Sequence, residues 1–166
     1  HLSVHSIPTR RSSDLSIRDL LTIVENLADF GTQTKDSEQL TELIRQKMSR
    51  AVTKPYISEK NVLPIITFDE QLDKTVQDSV RQSDQGTFLA LEPAKAQKII
   101  QALNKFMEKN TVTEGQPVLL VSPQVRPHLA QLIQRFIPNL PVISQAEIPA
   151  DIKLESVKVV RIDNAG

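Results

Sequence analysis

Four side chains in this sequence have a type and placement that could do chemistry: Asp69, Ser122, Arg126 and His128. Ser122 follows the apolar run Pro117 to Val121 (PVLLV) and His128 comes six residues later, so a Ser–His dyad at a strand-to-helix junction is the reaction to weigh. The surroundings argue against it. A nucleophile elbow needs the close glycines of GxSxG, whereas Ser122 lies in VSPQV. His128 is read instead as a solvated residue on a helix surface. Asp69 ends a second apolar run, where the phosphoacceptor of an α/β regulatory domain would sit. Such a domain adds an acidic pair and a lysine at neighbouring strand ends, so a helix N-cap is the preferred role. Arg126 falls in the first turn of a predicted helix, where a cation opposes the helix dipole and calls for a local partner. Glu147 or another acidic neighbour is the expected partner, with contact to another protein or a carboxylate as the functional alternative.

Cofactor and metal chemistry find no footing. The chain has four Gly and neither GxGxxG nor GxxxxGK[ST], so no phosphate-cradling loop is expected. It has no Cys, and two of its three His lie in the first five residues, leaving no set of metal ligands and no disulfide. The absence of Cys fits a reducing compartment. A formal net charge of zero speaks against a nucleic-acid or anionic-membrane footprint, and aromatics at 4% without Trp speak against a base-stacking track. No stretch approaches the roughly 18 apolar residues of a membrane helix.

The elements that hold these residues can be read in order. Residues 1–15 (HLSVHSIPTRRSSDL) are polar and lack a helical period. The part HSIPTRRSSDL resembles the translation of a sequencing-library adapter, so this stretch is expected to be a non-native, disordered extension. From Ser16 an apolar stripe of Ile17, Leu20, Leu21, Val24, Leu27 and Ala28 predicts a helix that Gly31 ends. Asp36 caps a second predicted helix carrying Leu40, Leu43, Ile44, Met48, Ala51 and Val52, stopped by Pro55. Together they make a helical hairpin over residues 16–56, too small to hold a full core alone.

Residues 57–166 read as a small α/β subdomain. VLPIITF (Val62 to Phe68) predicts a strand that Pro64 pushes toward a sheet edge. Asp69 then caps a helix with Leu72, Val76 and Val80 at steps of four. Gln82 to Gly86 is a predicted turn, Thr87 to Leu91 a short strand, and Pro93 opens a helix with Ala96, Ile99, Ile100, Leu103, Phe106 and Met107 on one face. Pro117 to Val121 predicts a strand buried on both faces. Ser122 should cap, and Pro123 open, a helix of about four turns that ends at Pro138, and Leu140 to Ser144 should return as a strand. A strand–helix–strand unit of this kind is a parallel βαβ crossover. Leu154 to Ile162 (LESVKVVRI) reads as a last strand. The predicted fold class is therefore α+β/α/β, a helical hairpin subdomain followed by a small α/β subdomain with a βαβ crossover.

Four stretches in order, SIRDLLTIVENLADFGTQTKDSEQLTELIRQKMSR, VLPIITFDEQL, GTFLALEPAKAQKII and PVLLVSPQVRPHLAQLIQRFIPNLPVISQAEIP, resemble the C-terminal cytoplasmic region of the type III secretion export-gate family, and of its flagellar branch in particular. The resemblance spans residues 16–162. It implies the family's third, helical subdomain and fourth, α/β subdomain, without the membrane helices, linker and first two cytoplasmic subdomains. It further implies a non-enzymatic function without cofactors: a nine-membered homo-oligomeric ring beneath the gate, at the cytoplasmic face of the bacterial inner membrane. Export chaperones, their substrates and the export ATPase complex are the implied partners, with the virulence-type gate as the alternative setting. The main chaperone groove of the family lies between the two missing subdomains. By position, Arg18, Asp19 and Glu25 are candidate ring contacts, while Arg126 and Glu147 match the family pattern as scaffold first and partner contacts second, alongside Ser122 and Ser144.

Overall fold

The apolar step of four that begins at Leu40 becomes helix. In the computed structural model, which describes Glu25, residues 37–110 and residues 115–162, α1 runs over Ser37–Lys47 and α2 over Ser49–Thr53. Leu40, Ile44, Met48 and Val52 are the buried apolar residues, one helical turn apart. Where the sequence predicts one continuous helix, Met48 interrupts it with φ −100° and ψ 29°. Met48 N still donates to Ile44 O and Val52 N to Met48 O, each at 2.9 Å, so the hydrogen-bond column runs through the break. Thr53 is fully buried and gives its hydroxyl to Ser49 O at 2.8 Å, which satisfies a polar group inside the helix. Pro55 sits in the 3-10 turn Lys54–Tyr56 that ends the helical stretch. The predicted first helix, the Asp36 cap and the expected disorder of residues 1–15 fall outside the described residues, except that Glu25 is helical and exposed.

The chain up to Pro55 groups with Ala146–Ala150 as one compact unit, and Tyr56–Gln145 groups with the residues from Asp151 onward as a second. The second unit contains β1 (Val62–Phe68), α3 (Glu70–Asp78), β2 (Val80–Ser83), β3 (Gly86–Leu89), α4 (Pro93–Lys109), β4 (Val118–Val121), α5 (Arg126–Phe136), β5 (Val142–Ser144) and β6 (Lys153–Val160). Four strands form one sheet in the order β5-β4-β1-β6, and every pair in it is parallel. The β4–α5–β5 segment is the crossover predicted from the sequence, with Leu119 opposite Val142 and Val121 opposite Ser144. β4 is buried at all four positions, as an apolar run without alternation should be. Ile66 and Phe68 of β1, Leu119 and Val121 of β4 and Val142 of β5 join Leu72, Ile99, Leu103, Leu129 and Ile133 from the helices in one core.

Pro64 does not place β1 at an edge. β1 lies between β4 and β6, and its ladder to β4 begins only at Ile65, opposite Val118. The proline ring faces the Gly115 segment, where an added Cβ would stand 3.3 Å from Pro64 Cδ. The missing N–H therefore falls before β4 starts and leaves no ladder partner orphaned. Gly115 itself must be glycine: its φ is +86°, and a Cβ there would meet Tyr56 O at 2.8 Å.

The segment after α3 also differs from expectation. Val80 does not extend the helix but opens β2, which pairs antiparallel with β3 around Asp84 and Gln85. Ser79 ends α3 by donating its hydroxyl to Thr75 O at 2.7 Å. Gly86, at φ +117°, closes the tight turn, where Ser83 Oγ donates to Gly86 O. This ribbon is almost wholly exposed, so it lacks the alternation that would have marked β2 in the sequence.

Candidate functional site

The residues that could do chemistry gather at the C-terminal ends of β1 and β4. Asp69 follows β1 with φ −65° and ψ 165°, and its Oδ1 accepts from Leu72 N at 2.9 Å. It is the N-cap of α3, as the sequence predicts. Asn caps as well as Asp, whereas Ala cannot accept the bond. Asp69→Ala should therefore lower stability by about 1 kcal/mol in urea unfolding and Asp69→Asn by only a few tenths, while a phosphoacceptor role predicts that both variants lose labelling by acetyl phosphate equally.

Ser122 departs from its expected role. Residues 123–125 form a turn, and α5 starts at Arg126 with Pro127 as the proline of its first turn. The Ser122 carbonyl accepts from Val125 N at 3.2 Å and Arg126 N at 3.1 Å, while its hydroxyl is buried with no hydrogen-bond partner. Pro123 disfavours α-helical geometry at Ser122 alone and does not fix where the helix begins. His128 is not solvated as expected: it is 9% exposed, packed on the inner side of α5. With the Ser122 hydroxyl unpartnered, no Ser–His hydrogen bond exists, and the pair lacks the contact a dyad needs.

Arg126 and Glu147 are both interior residues, 3% and 0% exposed. Arg126 resolves its unfavourable place in a first helical turn by reaching across the crossover. Its Nη1 donates to Val142 O of β5 at 3.0 Å, a charge-assisted bond that ties α5 to the strand it leads into. The partner described for Glu147 is Arg45 of α1, at 2.7 Å, a contact the sequence did not lead one to expect. Both ends of this ion pair are buried, and both lie in the first compact unit, the glutamate through the segment Ala146–Ala150. Sequence reasoning missed Arg45. Its signal was present: Thr41 and Arg45, one turn apart, are polar residues lying within the arc that Leu40, Ile44 and Met48 bury. Of the ring candidates, Glu25 is exposed, and Arg18 and Asp19 lie outside the described residues. Among the described residues no group of three His, Asp or Glu could hold a metal ion, and no helix is long and apolar enough to cross a membrane.

Arg126 and Glu147 thus make buried structural contacts. Comparison with known proteins gives those contacts a context. Residues 12–153 match the FHIPEP family. The chain belongs to the FHIPEP family. It is 38% identical over 148 residues to the flagellar biosynthesis protein FlhA of Bacillus subtilis (strain 168), covering 89% of this chain and 22% of that protein. It is 33% identical over 142 residues to the low calcium response locus protein D of Yersinia pestis, covering 86% of the chain and 20% of that protein. The chain thus spans about a fifth of the length of these FHIPEP relatives. Among solved structures, the cryo-EM structure of nonameric EPEC SctV-C superposes with a TM-score of 0.74 at 28% identity, over 89% of this chain and 44% of that one. The mixed helix and parallel-sheet fold is the one seen there.

Proposed function

We propose that this FHIPEP chain is the third and fourth subdomains of the cytoplasmic region of a flagellar type III export gate, and that it acts as a scaffold in ring assembly and partner docking. The observation that carries the proposal is the 38% identity to the flagellar biosynthesis protein FlhA along 89% of the chain. Identity to the Yersinia protein is 33%, so the virulence-type gate stands as the alternative setting. In this reading the unit ending at Pro55 is the helical subdomain, the parallel sheet is the α/β subdomain, and the whole protein is held at the cytoplasmic face of the inner membrane. The nonameric structural neighbour supports a ring. Glu25, helical and exposed, is the described candidate for a ring contact, with Arg18 and Asp19 earlier in the sequence as the other two. No step of this function needs a nucleophile or cofactor.

Chaperones with their substrates, and the export ATPase complex, would dock on the assembled ring, the chaperones chiefly on subdomains that precede this chain. Titration calorimetry with a substrate-loaded flagellar export chaperone tests this. A longer chain that includes the two preceding subdomains should bind, and the 166-residue chain alone should bind weakly or not at all. Equal affinity for both would overturn the placement of the chaperone site.

A further inference from the structure

Five basic side chains converge on one groove of the second unit, and among the described residues no carboxylate lines it. Lys98, Lys105 and Lys109 stand on one stripe of α4, and Lys158 and Arg161 come from β6 and the residue just past its end. Two adjoining shallow hollows of about 350 and about 280 Å³ share Ala102 and Lys105 and lie side by side where α4 packs on β6. Its floor is apolar and half-buried, from Ala102, Phe106 and Ile162, and its basic rim is exposed.

Edge protection explains only part of this. Lysines on an edge strand repel unwanted pairing, and β6 also carries a bulge at Val157, since Ser156 and Lys158 oppose the consecutive residues Ile65 and Ile66. That accounts for Lys158 but not for the three lysines on α4, whose mutual repulsion costs stability. The chain as a whole has a net charge of zero, so the positive field is local to this groove. Beside it runs β6, the last strand of the sheet order, whose outer backbone groups meet no further strand of the sheet.

We infer that this groove docks an extended acidic segment of a partner protein. Carboxylates of the segment pair with the lysine and arginine rim, its apolar side chains fill the floor, and its backbone adds to the free edge of β6. A nucleic acid strand would want successive aromatic platforms, and the groove offers Phe106 alone; a lipid surface would use the basic rim but not the backbone edge of β6. The inference stands on the groove itself and is independent of the export-gate reading.

The test uses the whole chain and a fluorescein-labelled seven-residue peptide that alternates glutamate with leucine, followed by anisotropy. The peptide should bind with a salt-sensitive affinity, and Lys105→Glu combined with Lys158→Glu should weaken it about tenfold or more with an unchanged melting curve. Lys60→Glu combined with Lys74→Glu, away from the groove, should leave it unchanged. The inference is overturned by absent binding, by equal loss in the two double variants, or by tighter binding to a thymidine oligonucleotide or phosphatidylserine vesicles than to the peptide. Self-association of the chain that the groove variant abolishes would also overturn it, by making a second copy the occupant.

Discussion

Glu147→Ala should remove about 3–5 kcal/mol of folding free energy, the largest effect expected of any single substitution here. The carboxylate is fully buried and 2.7 Å from the Arg45 guanidinium, itself 5% exposed. Truncation removes the Glu147 counter-charge from a guanidinium that stays inside, and the desolvation cost of a poorly compensated ion exceeds the worth of the lost contact. Against a typical stability of about 5–15 kcal/mol, a loss of this size would populate the unfolded chain at physiological temperature. Urea unfolding should show the midpoint falling with an unchanged slope. The double change Arg45→Met with Glu147→Leu removes both charges and should recover most of the loss, since buried pairs replaced by apolar residues of similar size are often neutral. A single-variant loss below about 1 kcal/mol would mean that solvent reaches the pair and screens it.

Leu129→Ala should come next, at about 2–5 kcal/mol. Leu129 is fully buried on α5, in the same core as Leu119 and Val121 of β4 and Val142 of β5. Part of the cost is lost transfer free energy, and the rest depends on how far the neighbours close the cavity. β4 has all four residues buried and cannot shift without breaking its two ladders, so the upper half of the range is expected. Leu132, on the outer side of the same helix and only partly buried, supplies the comparison, and Leu132→Ala should cost less than half as much in the same assay. Equal losses at the two positions would mean that α5 packs differently from this description.

The sequence disclosed elements whose hydrophobic period matched their environment. The stripe from Leu40 to Val52, the face of α4 through Ile99 and Leu103, and the unbroken run of β4 each report the surface they bury. It misled where a local rule met a tertiary circumstance. Pro64 is an edge signal only if its missing N–H faces a ladder, and Gly115 stands there instead. Ser122 and Pro123 have the composition of a helix start, but the chain spends them on a turn and starts α5 at Arg126. The β2–β3 ribbon is exposed on both faces and so leaves no hydrophobic trace. At the candidate site, the capping role of Asp69 was legible because it is settled within four residues. The partner of Glu147 was not, because only the tertiary fold brings Arg45 to it. The basic groove was equally hidden, since its two walls are distant in sequence and neither is unusually charged alone.

The excursion of Ala146–Ala150 into the first compact unit bears on the order in which the protein is made. Arg45 leaves the ribosome roughly a hundred residues before Glu147, and loop closure over such a span is slow relative to helix formation. Until the parallel sheet has been synthesised up to β5, the early helices lack the Glu147 partner of Arg45. A nascent chain stopped at Gln145 holds every helix described here yet lacks the residue that neutralises the first unit's buried charge. Protease sensitivity of the early helices in such a stalled chain should disappear once residues 146–150 emerge.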